Sequence, residues 1–493
     1  MTTFADPTRT TDDRFSIPTA SVDFAPGLDT IFDLQLTEDN YRIEDVEGDI
    51  PAFVEGSYFL NGPAKFSRGG FKYRHWLDGD GMVCSLRFSN GEVWLTNRFV
   101  RTNKFSAEQK AGRPIFRTFG TAFPGDSLNH GMALESPANV SVYPFQGKLL
   151  AFGEQALPWE LDPLTLQTVG SFNFGGALSE ISPFSAHPKF DPVTGELFNF
   201  GVFFSGKTPK LYFYSFDRAG KLRTRTSHEL PYPSSIHDFS ISRDYAVIYV
   251  SPHMLEIEGI SRAGRSVMES LSWQPERGSF MLVIDRHSGQ KIASIPLEGR
   301  YCLHMINSFE EDGMLFVDVL ELDRPVYDQY QPLPNLLTDV GPGAPVRYVL
   351  DPARGRVFAR EECEYHQAPD FPALDPALHG SSYHEFWMLG VSHTGSYGRK
   401  FFDQLVHASW GSGQFDVFQA DPKKYLGGEP VFVPGPEPGE GALICQQFDA
   451  DRTQGSFLIF DAFDVSRGPI ASLRLMRPVH LGFHASFLPE GES

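Results

Sequence analysis

The run Phe280-Met-Leu-Val-Ile284 passes directly into Asp285-Arg-His-Ser-Gly289, and this stretch decides the fold. Five apolar residues are too few for a helix that buries a face, and they are bounded by turn residues, which is the signature of a strand. The Asp carboxylate caps the turn, and the Gly takes the positive φ that closes it. The same chemistry recurs at Asp162-Pro-Leu-Thr165, Asp191-Pro-Val-Thr-Gly195, Asp217-Arg-Ala-Gly220 and Asp351-Pro-Ala-Arg-Gly355. Each of these turns lies between two apolar runs, so each is the corner of an antiparallel hairpin.

The neighbouring runs fit this reading. Residues 147–152 (GKLLAF), 196–204 (ELFNFGVFF), 210–216 (KLYFYSF), 245–250 (YAVIYV), 314–319 (MLFVDV) and 457–460 (FLIF) are all short and bounded by Gly, Pro, Asp or Ser. The chain reads as all-β. Hairpins repeated over this length imply a seven-bladed β-propeller, with the remaining residues in loops and short helices. Seven blades of about 45–50 residues take about 315–350 residues. Residues 102–112 are expected to be helical, as are residues 265–273. A pair of β-sandwiches is the alternative, but no Gly/Ser-rich or Pro-rich linker divides the chain. Residues 1–493 are therefore expected to form one domain, with 1–45 as an N-terminal extension and closing segment.

Composition narrows the function. The chain has 42 Lys+Arg against 62 Asp+Glu, a net charge of −20 with no basic tail, which argues against a nucleic-acid partner. There are 44 Phe against 46 Gly, a surplus of aromatic residues that serves a core or the wall of a tunnel for a long apolar ligand. Cys84, Cys302, Cys363 and Cys445 are far apart and form no disulfide framework. The N-terminal text lacks an apolar signal region, and no run approaches a membrane span, so a cytoplasmic protein is expected.

Familiar catalytic signatures are absent: no H-E-x-x-H, no phosphate-binding loop, no G-x-S-x-G. Of the 15 histidines, four stand beside apolar, strand-like text: His187, His237, His304 and His484. Their separations of 50, 67 and 180 residues match no compact metal motif. A propeller brings distant residues together at its axis, because each blade puts its innermost strand there.

Six motifs in order resemble the carotenoid cleavage oxygenase family, whose members cleave carotenoids, apocarotenoids or stilbenes. They are Gly56-Ser-Tyr-Phe-Leu-Asn-Gly-Pro63, with Leu60 where Arg is usual; His75-Trp-Leu-Asp-Gly-Asp-Gly-Met82; Asn97-Arg-Phe-Val-Arg-Thr102; Ser185-Ala-His-Pro-Lys189; Gly428-Glu-Pro-Val-Phe-Val-Pro434; and Gly482-Phe-His484. The matching text spans roughly residues 45–490.

The resemblance implies Fe(2+) held on the propeller axis by His187, His237, His304 and His484. It implies three carboxylates behind three of those rings: Glu154, Glu429 and, where the family has Glu, Asp370. With Asp one methylene shorter, either the backbone moves in or a water bridges. Glu385 lies nearby as an alternative, although its context does not match the family's. No catalytic side chain is expected beyond the metal centre. The implied reaction is O2-dependent cleavage of one C=C bond in a carotenoid or apocarotenoid to aldehydes.

Stilbene cleavage is the alternative. Stilbene-cleaving members grip a phenol with a Lys directly before the first Glu, helped by a Tyr. Here that Lys position is Gly153; Tyr73 stands near the Tyr position, and Lys104 offers a cation from elsewhere. A non-oxygenase apocarotenoid-binding or isomerohydrolase protein is a third reading, against which the four histidines count. Residues 104–123 interleave Phe105, Ile115, Phe116, Phe119 and Phe123 with Lys104, Lys110, Arg113 and Arg117. This locally basic, apolar stretch is expected to make peripheral contact with a membrane, where carotenoids reside.

Overall fold

The structure is a computed structural model that describes residues 22–129, 133–204, 208–326, 332–412 and 414–491. The first 21 residues of the expected N-terminal extension lie outside them.

Apolar runs joined by Asp-led turns build seven antiparallel sheets, the blades of a propeller. Blades 2 to 5 each use four strands consecutive in their sheet. Blade 2 holds Ser141–Phe145, Lys148–Phe152, Trp159–Leu161 and Thr168–Ser171; blade 3 holds Lys189–Phe190, Leu197–Phe203, Lys210–Phe216 and Leu222–Glu229. Blade 4 holds Ser240–Ile241, Tyr245–Val250, Ser279–Asp285 and Lys291–Leu297; blade 5 holds Tyr301–Glu311, Met314–Leu322, Gly343–Asp351 and Arg356–Glu362. Blade 6 starts at Asp370–Ala373 and blade 7 at Lys424–Pro434.

Both chain ends close the ring. The strand Ala485–Pro489 pairs with Gly56–Leu60 as the innermost strand of blade 1. The strand Asp45–Gly48 pairs with Ala471–Arg474 on the outside of blade 7.

The core is divided in the same way. Each blade-to-blade interface has its own apolar cluster, such as Val247, Met281, Leu315, Val317 and Val346 between blades 4 and 5. The next interface has Ile306, Phe309, Leu320, Phe386, Met388 and Val406. The outermost strand Leu222–Glu229 alternates half-buried and exposed side chains, while the inner strand Tyr301–Glu311 is buried over most of its length. That gradient is what a sheet standing edge-on between axis and solvent requires.

All five Asp-led turns form as the sequence implies. Asp285 Oδ1 accepts from the N–H groups of His287 and Ser288 at 3.2 and 2.7 Å. Asp191 Oδ1 accepts from Val193 and Thr194. Asp162 accepts from Leu164 and Thr165, Asp217 from Ala219 and Lys221, and Asp351 from Arg354. The Asp162 turn has no Gly at its close, and Leu166 takes the positive φ of 56° itself.

The expected helix forms over Asn103–Ala111: Thr102 caps it by accepting from the Phe105 N–H, and Gly112 ends it at φ 65°. The second expected helix does not form. Residues 268–270 make one 3-10 turn, and Leu271–Trp273 is a strand paired with His253–Leu255. The long-range pairing overrides the local preference.

The innermost strands run from a face of long connections, the loop face, to a face of tight hairpins, the turn face. All four candidate histidines lie at or near the loop-face end of an innermost strand. His187 precedes Lys189–Phe190, His237 precedes Ser240–Ile241, and His484 precedes Ala485–Pro489. His304 lies inside Tyr301–Glu311, where the pairing register shifts between Cys302 and Met305.

Candidate metal centre

Four imidazoles converge on the axis. One ring nitrogen from each of His187, His237, His304 and His484 lies within 4.8 Å of the others. The Nε2 atoms of His187 and His237 are 2.9 Å apart, and those of His237 and His304 are 3.2 Å apart.

Backbone and small polar groups set these rings. Ser185 Oγ accepts from the His187 N–H at 3.1 Å and donates to the His237 carbonyl at 3.0 Å. The His484 N–H donates to the Val140 carbonyl, and the His484 carbonyl accepts from the Asn61 N–H. Asn61 Nδ2 in turn donates to the carbonyls of Ala138 and Ser141. The Asn-Gly-Pro motif thus acts as the strap of His484. Leu60 is buried and packs on Gly428 and Gly482, the glycines flanking Glu429 and His484. The His75–Met82 motif holds the loop face: Asp78 accepts from the N–H groups of His75 and Gly120 and from Thr121 Oγ1.

Carboxylates stand behind three rings. Glu154 Oε1 is 2.8 Å from His237 Nδ1, and Glu429 Oε2 is 3.3 Å from His484 Nδ1. Asp370 Oδ1 contacts His304 Nδ1 directly. The shorter side chain is compensated by the backbone, without a bridging water. The strand is irregular between Asp370 and Ala373, Phe371 has φ 51°, and the Phe371 N–H donates back to Asp370 Oδ1 at 2.9 Å. The alternative, Glu385, is committed elsewhere: it contacts His407 Nε2 at 2.6 Å.

Each Nδ1–H that donates to a carboxylate leaves the Nε2 lone pair free to point inward. Burial, then the neighbouring imidazoles, pushes His187 well below the usual histidine value. Burial also lowers His304 against the pull of Asp370, and takes His484 down to about 3. His237 is raised: its burial is outweighed by Glu154 together with the Asp238 and Asp370 carboxylates. Burial lifts Glu429 to about 7. Asp370 is held low, its burial outweighed by His304. Most of the donor set is neutral near pH 7, and a set of imidazoles of this kind fits a first-row divalent cation such as Fe(II).

Three side chains here carry no sequence expectation. Asp238 Oδ1 lies 3.7 Å from His187 Nδ1 and 2.8 Å from Lys189 Nζ. The only signal in the sequence is adjacency, Asp238 directly after His237 and Lys189 two residues after His187. Phe371 also goes unread; its ring packs on His304 and His484. A cavity of about 450 Å³ runs from His187, His304 and His484 along the axis to Gln146 and Arg218 on the turn face.

The two side chains expected to bind a phenol are committed elsewhere. Lys104 is fully buried, with Nζ 2.8 Å from Asp80 and 3.1 Å from Glu108. The Tyr73 hydroxyl donates to Glu108 Oε2 at 2.8 Å. At Gly153 an added Cβ would fall 2.3 Å from Ser136 Oγ. The basic character expected of residues 104–123 is also reduced. Arg117 is buried in a two-pronged pair with Asp126, which leaves Lys110 and Arg113 exposed.

The chain is similar to known proteins over most of its length. A family model described as retinal pigment epithelial membrane protein matches residues 32–489. An apocarotenoid-15,15'-oxygenase of Synechocystis sp. is 31% identical over 481 residues, 92% of this chain and 94% of its own. An isoeugenol monooxygenase of Pseudomonas nitroreducens is 27% identical over 478 residues, 93% of this chain and 97% of its own. The solved structure of a cobalt-substituted Synechocystis apocarotenoid oxygenase superimposes with a TM-score of 0.83 at 28% identity, over 92% of this chain and 97% of that one.

Proposed function

The chain belongs to the retinal pigment epithelial membrane protein family, that of the carotenoid cleavage oxygenases, and from this premise we propose that it cleaves one C=C bond of an apocarotenoid or carotenoid, using O2 and an Fe(II) ion held by His187, His237, His304 and His484. That it is a dioxygenase of oxidative alkene cleavage is supported by family members that bear that name. The observation that carries the rest is the convergence of four imidazole nitrogens within 4.8 Å, three of them backed by a carboxylate.

Bound iron would supply the activation of O2. The chain's own residues hold the geometry. Glu154, Asp370 and Glu429 fix the tautomer and angle of three rings. Held by His187, His237, His304 and His484, a bound iron would meet imidazole nitrogens and no carboxylate in its donor set, so those ligands would not compensate its charge. Both atoms of O2 end in the two carbonyl products, so the balance requires no further oxidant and no acid or base from a side chain. Selection of the bond rests on where the chain seats the polyene.

The carotenoid class is favoured over a phenol because Gly153 offers no side chain and both Lys104 and Tyr73 are spent in a buried ion cluster. Ile115, Phe116, Phe119 and Phe123, half-buried beside exposed Lys110 and Arg113, are the contact we propose with a lipid surface. Among the described residues, no helix is long and apolar enough to cross a membrane.

The test is a product assay in air on iron-loaded protein with β-carotene, apocarotenals of several lengths, isoeugenol and a 4′-hydroxystilbene. Chromatography with mass spectrometry should show shortened apocarotenals. Benzaldehyde-type products alone would replace the carotenoid reading with the phenolic one. Flotation with liposomes checks the lipid contact, which fails if the protein stays wholly with the aqueous fraction.

A further inference from the structure

Three of the four histidines have a carboxylate in contact with Nδ1. His187 has Asp238 at 3.7 Å. That distance is too long for a direct hydrogen bond and suits either a small ring rotation or one bridging water. The axial cavity borders His187, Lys189 and Asp238, which gives such a water its room.

The partners of Asp238 are unusual in their origin. Its side chain is 2% exposed. Oδ1 accepts from Lys189 Nζ and from the Phe239 N–H, each at 2.8 Å. Oδ2 accepts from the Met305 N–H, also at 2.8 Å. Lys189 is two residues after His187, Phe239 is two after His237, and Met305 directly follows His304. One carboxylate therefore ties together the three inner segments, at blades 3, 4 and 5, that carry three of the four histidines.

We propose that Asp238 is a positioning residue of the metal centre: it orients His187 and sets the spacing of His187, His237 and His304 through its bonds to Lys189, Phe239 and Met305. This rests on the reading that these imidazoles bind a metal. The competing account is that Asp238 only neutralises Lys189. The two accounts rank variants differently. If Asp238 positions the rings, losing the carboxylate harms the site more than losing the ammonium, since the two backbone N–H groups still hold Asp238 when Lys189 is gone. If it is a counter-ion, removing either partner strips charge from the other, and the metal site feels both alike.

The experiment uses the full chain loaded with Co(II). Affinity is read by competition with a chelator and geometry by the visible absorption of bound Co(II), with thermal melting of the metal-free protein alongside. Asp238→Asn keeps the size and should weaken Co(II) binding about 10–100-fold and move the absorption bands. Lys189→Met should cost less than Asp238→Asn and keep the bands. Wild-type affinity and bands in Asp238→Asn would overturn the proposal, as would a Lys189→Met loss equal to or larger than that of Asp238→Asn. If Asp238→Asn shows no cooperative melting, Lys189→Met decides alone: a change within a few-fold, with unmoved bands, supports positioning, and a tenfold loss overturns it. His187→Ala separates the layers. If it binds Co(II) like wild type, the ligand reading itself fails; if it loses Co(II) while Asp238→Asn does not, only the role of Asp238 fails.

Discussion

On the turn face, the strands of blades 2 to 5 are joined by two to six residues, and the five Asp-led corners are capped by a side chain of their own. On the loop face, the connections grow to residues 251–278 within blade 4 and 100–140 between blades 1 and 2, and the groups that matter come from far apart. Asp162 reaches three residues along the chain to cap its turn. Glu154 reaches 83 residues to His237, and Asn61 reaches 77 residues to Ala138 in the strap of His484. One face holds the fold's regularity by local bonds; the other spends its length on a site assembled from separate blades. The difference predicts that damage to one face leaves the other intact.

The largest effect should come from the loop face. His484→Ala removes one of the four imidazoles, and metal content by elemental analysis and O2-dependent product should both fall to background. Unfolding of the metal-free protein should shift little, because the blade interfaces are untouched. A variant that keeps its metal would break the assignment of the face.

The next is its mirror on the turn face. Asp191 caps its own turn and also pairs with Arg286 of the neighbouring turn in blade 4, where the guanidinium is buried and donates to the Ser242 carbonyl at 2.8 Å. Asp191→Ala leaves that charge without its partner, at a cost of about 3–5 kcal/mol. Urea unfolding should show this loss, with metal affinity unchanged.

These contrasts explain what was legible in the sequence. Turns and the helix over Asn103–Ala111 are local events, so Asp285, Gly289 and Thr102 declare themselves. The four histidines become a set only through the motif resemblance, because convergence on an axis leaves no spacing rule. Asp238 and Lys189 stay hidden for the same reason: their partners lie in other blades. Lys104 and Arg117 mislead in the opposite direction. Counted along the chain they look like surface cations, but Asp80, Glu108 and Asp126 draw them inside. Residues 271–273 look helical until His253–Leu255 supplies a strand partner.

A smaller effect tests whether the backbone truly compensates at Asp370. Asp370→Ala deletes the contact to His304 Nδ1 and the acceptor for the Phe371 N–H. Metal affinity should fall about 10–100-fold, measured by chelator competition, without being abolished, because all four imidazoles remain. A change below threefold would mean that His304 is placed by packing against Phe371 alone.

The smallest effect comes from Asp162, and pH sharpens it. Its carboxylate accepts from two N–H groups and from the Thr165 hydroxyl, and these bonds, the Thr165 N–H first, hold it below the ordinary aspartate value. Asp162→Ala should cost about 1 kcal/mol. A depressed carboxylate gives stability that is present above the unfolded value near 3.8 and lost as pH falls through the folded one. The loss on mutation should therefore be the same at pH 7 and pH 5. The loop face should behave differently over that range. His187, His304 and His484 are held neutral, so the unfolded chain takes up protons there that the folded one refuses, and stability of the metal-free protein drops as pH falls below 6.5. His237, raised by Glu154, and Glu429, lifted to about 7 by burial, oppose this in part. Urea midpoints of wild type and Asp162→Ala at pH 7, 6 and 5 should fall together, a constant distance apart. A gap that closes by pH 5 would place the Asp162 turn in the same titrating unit as the histidines and end the separation of the two faces.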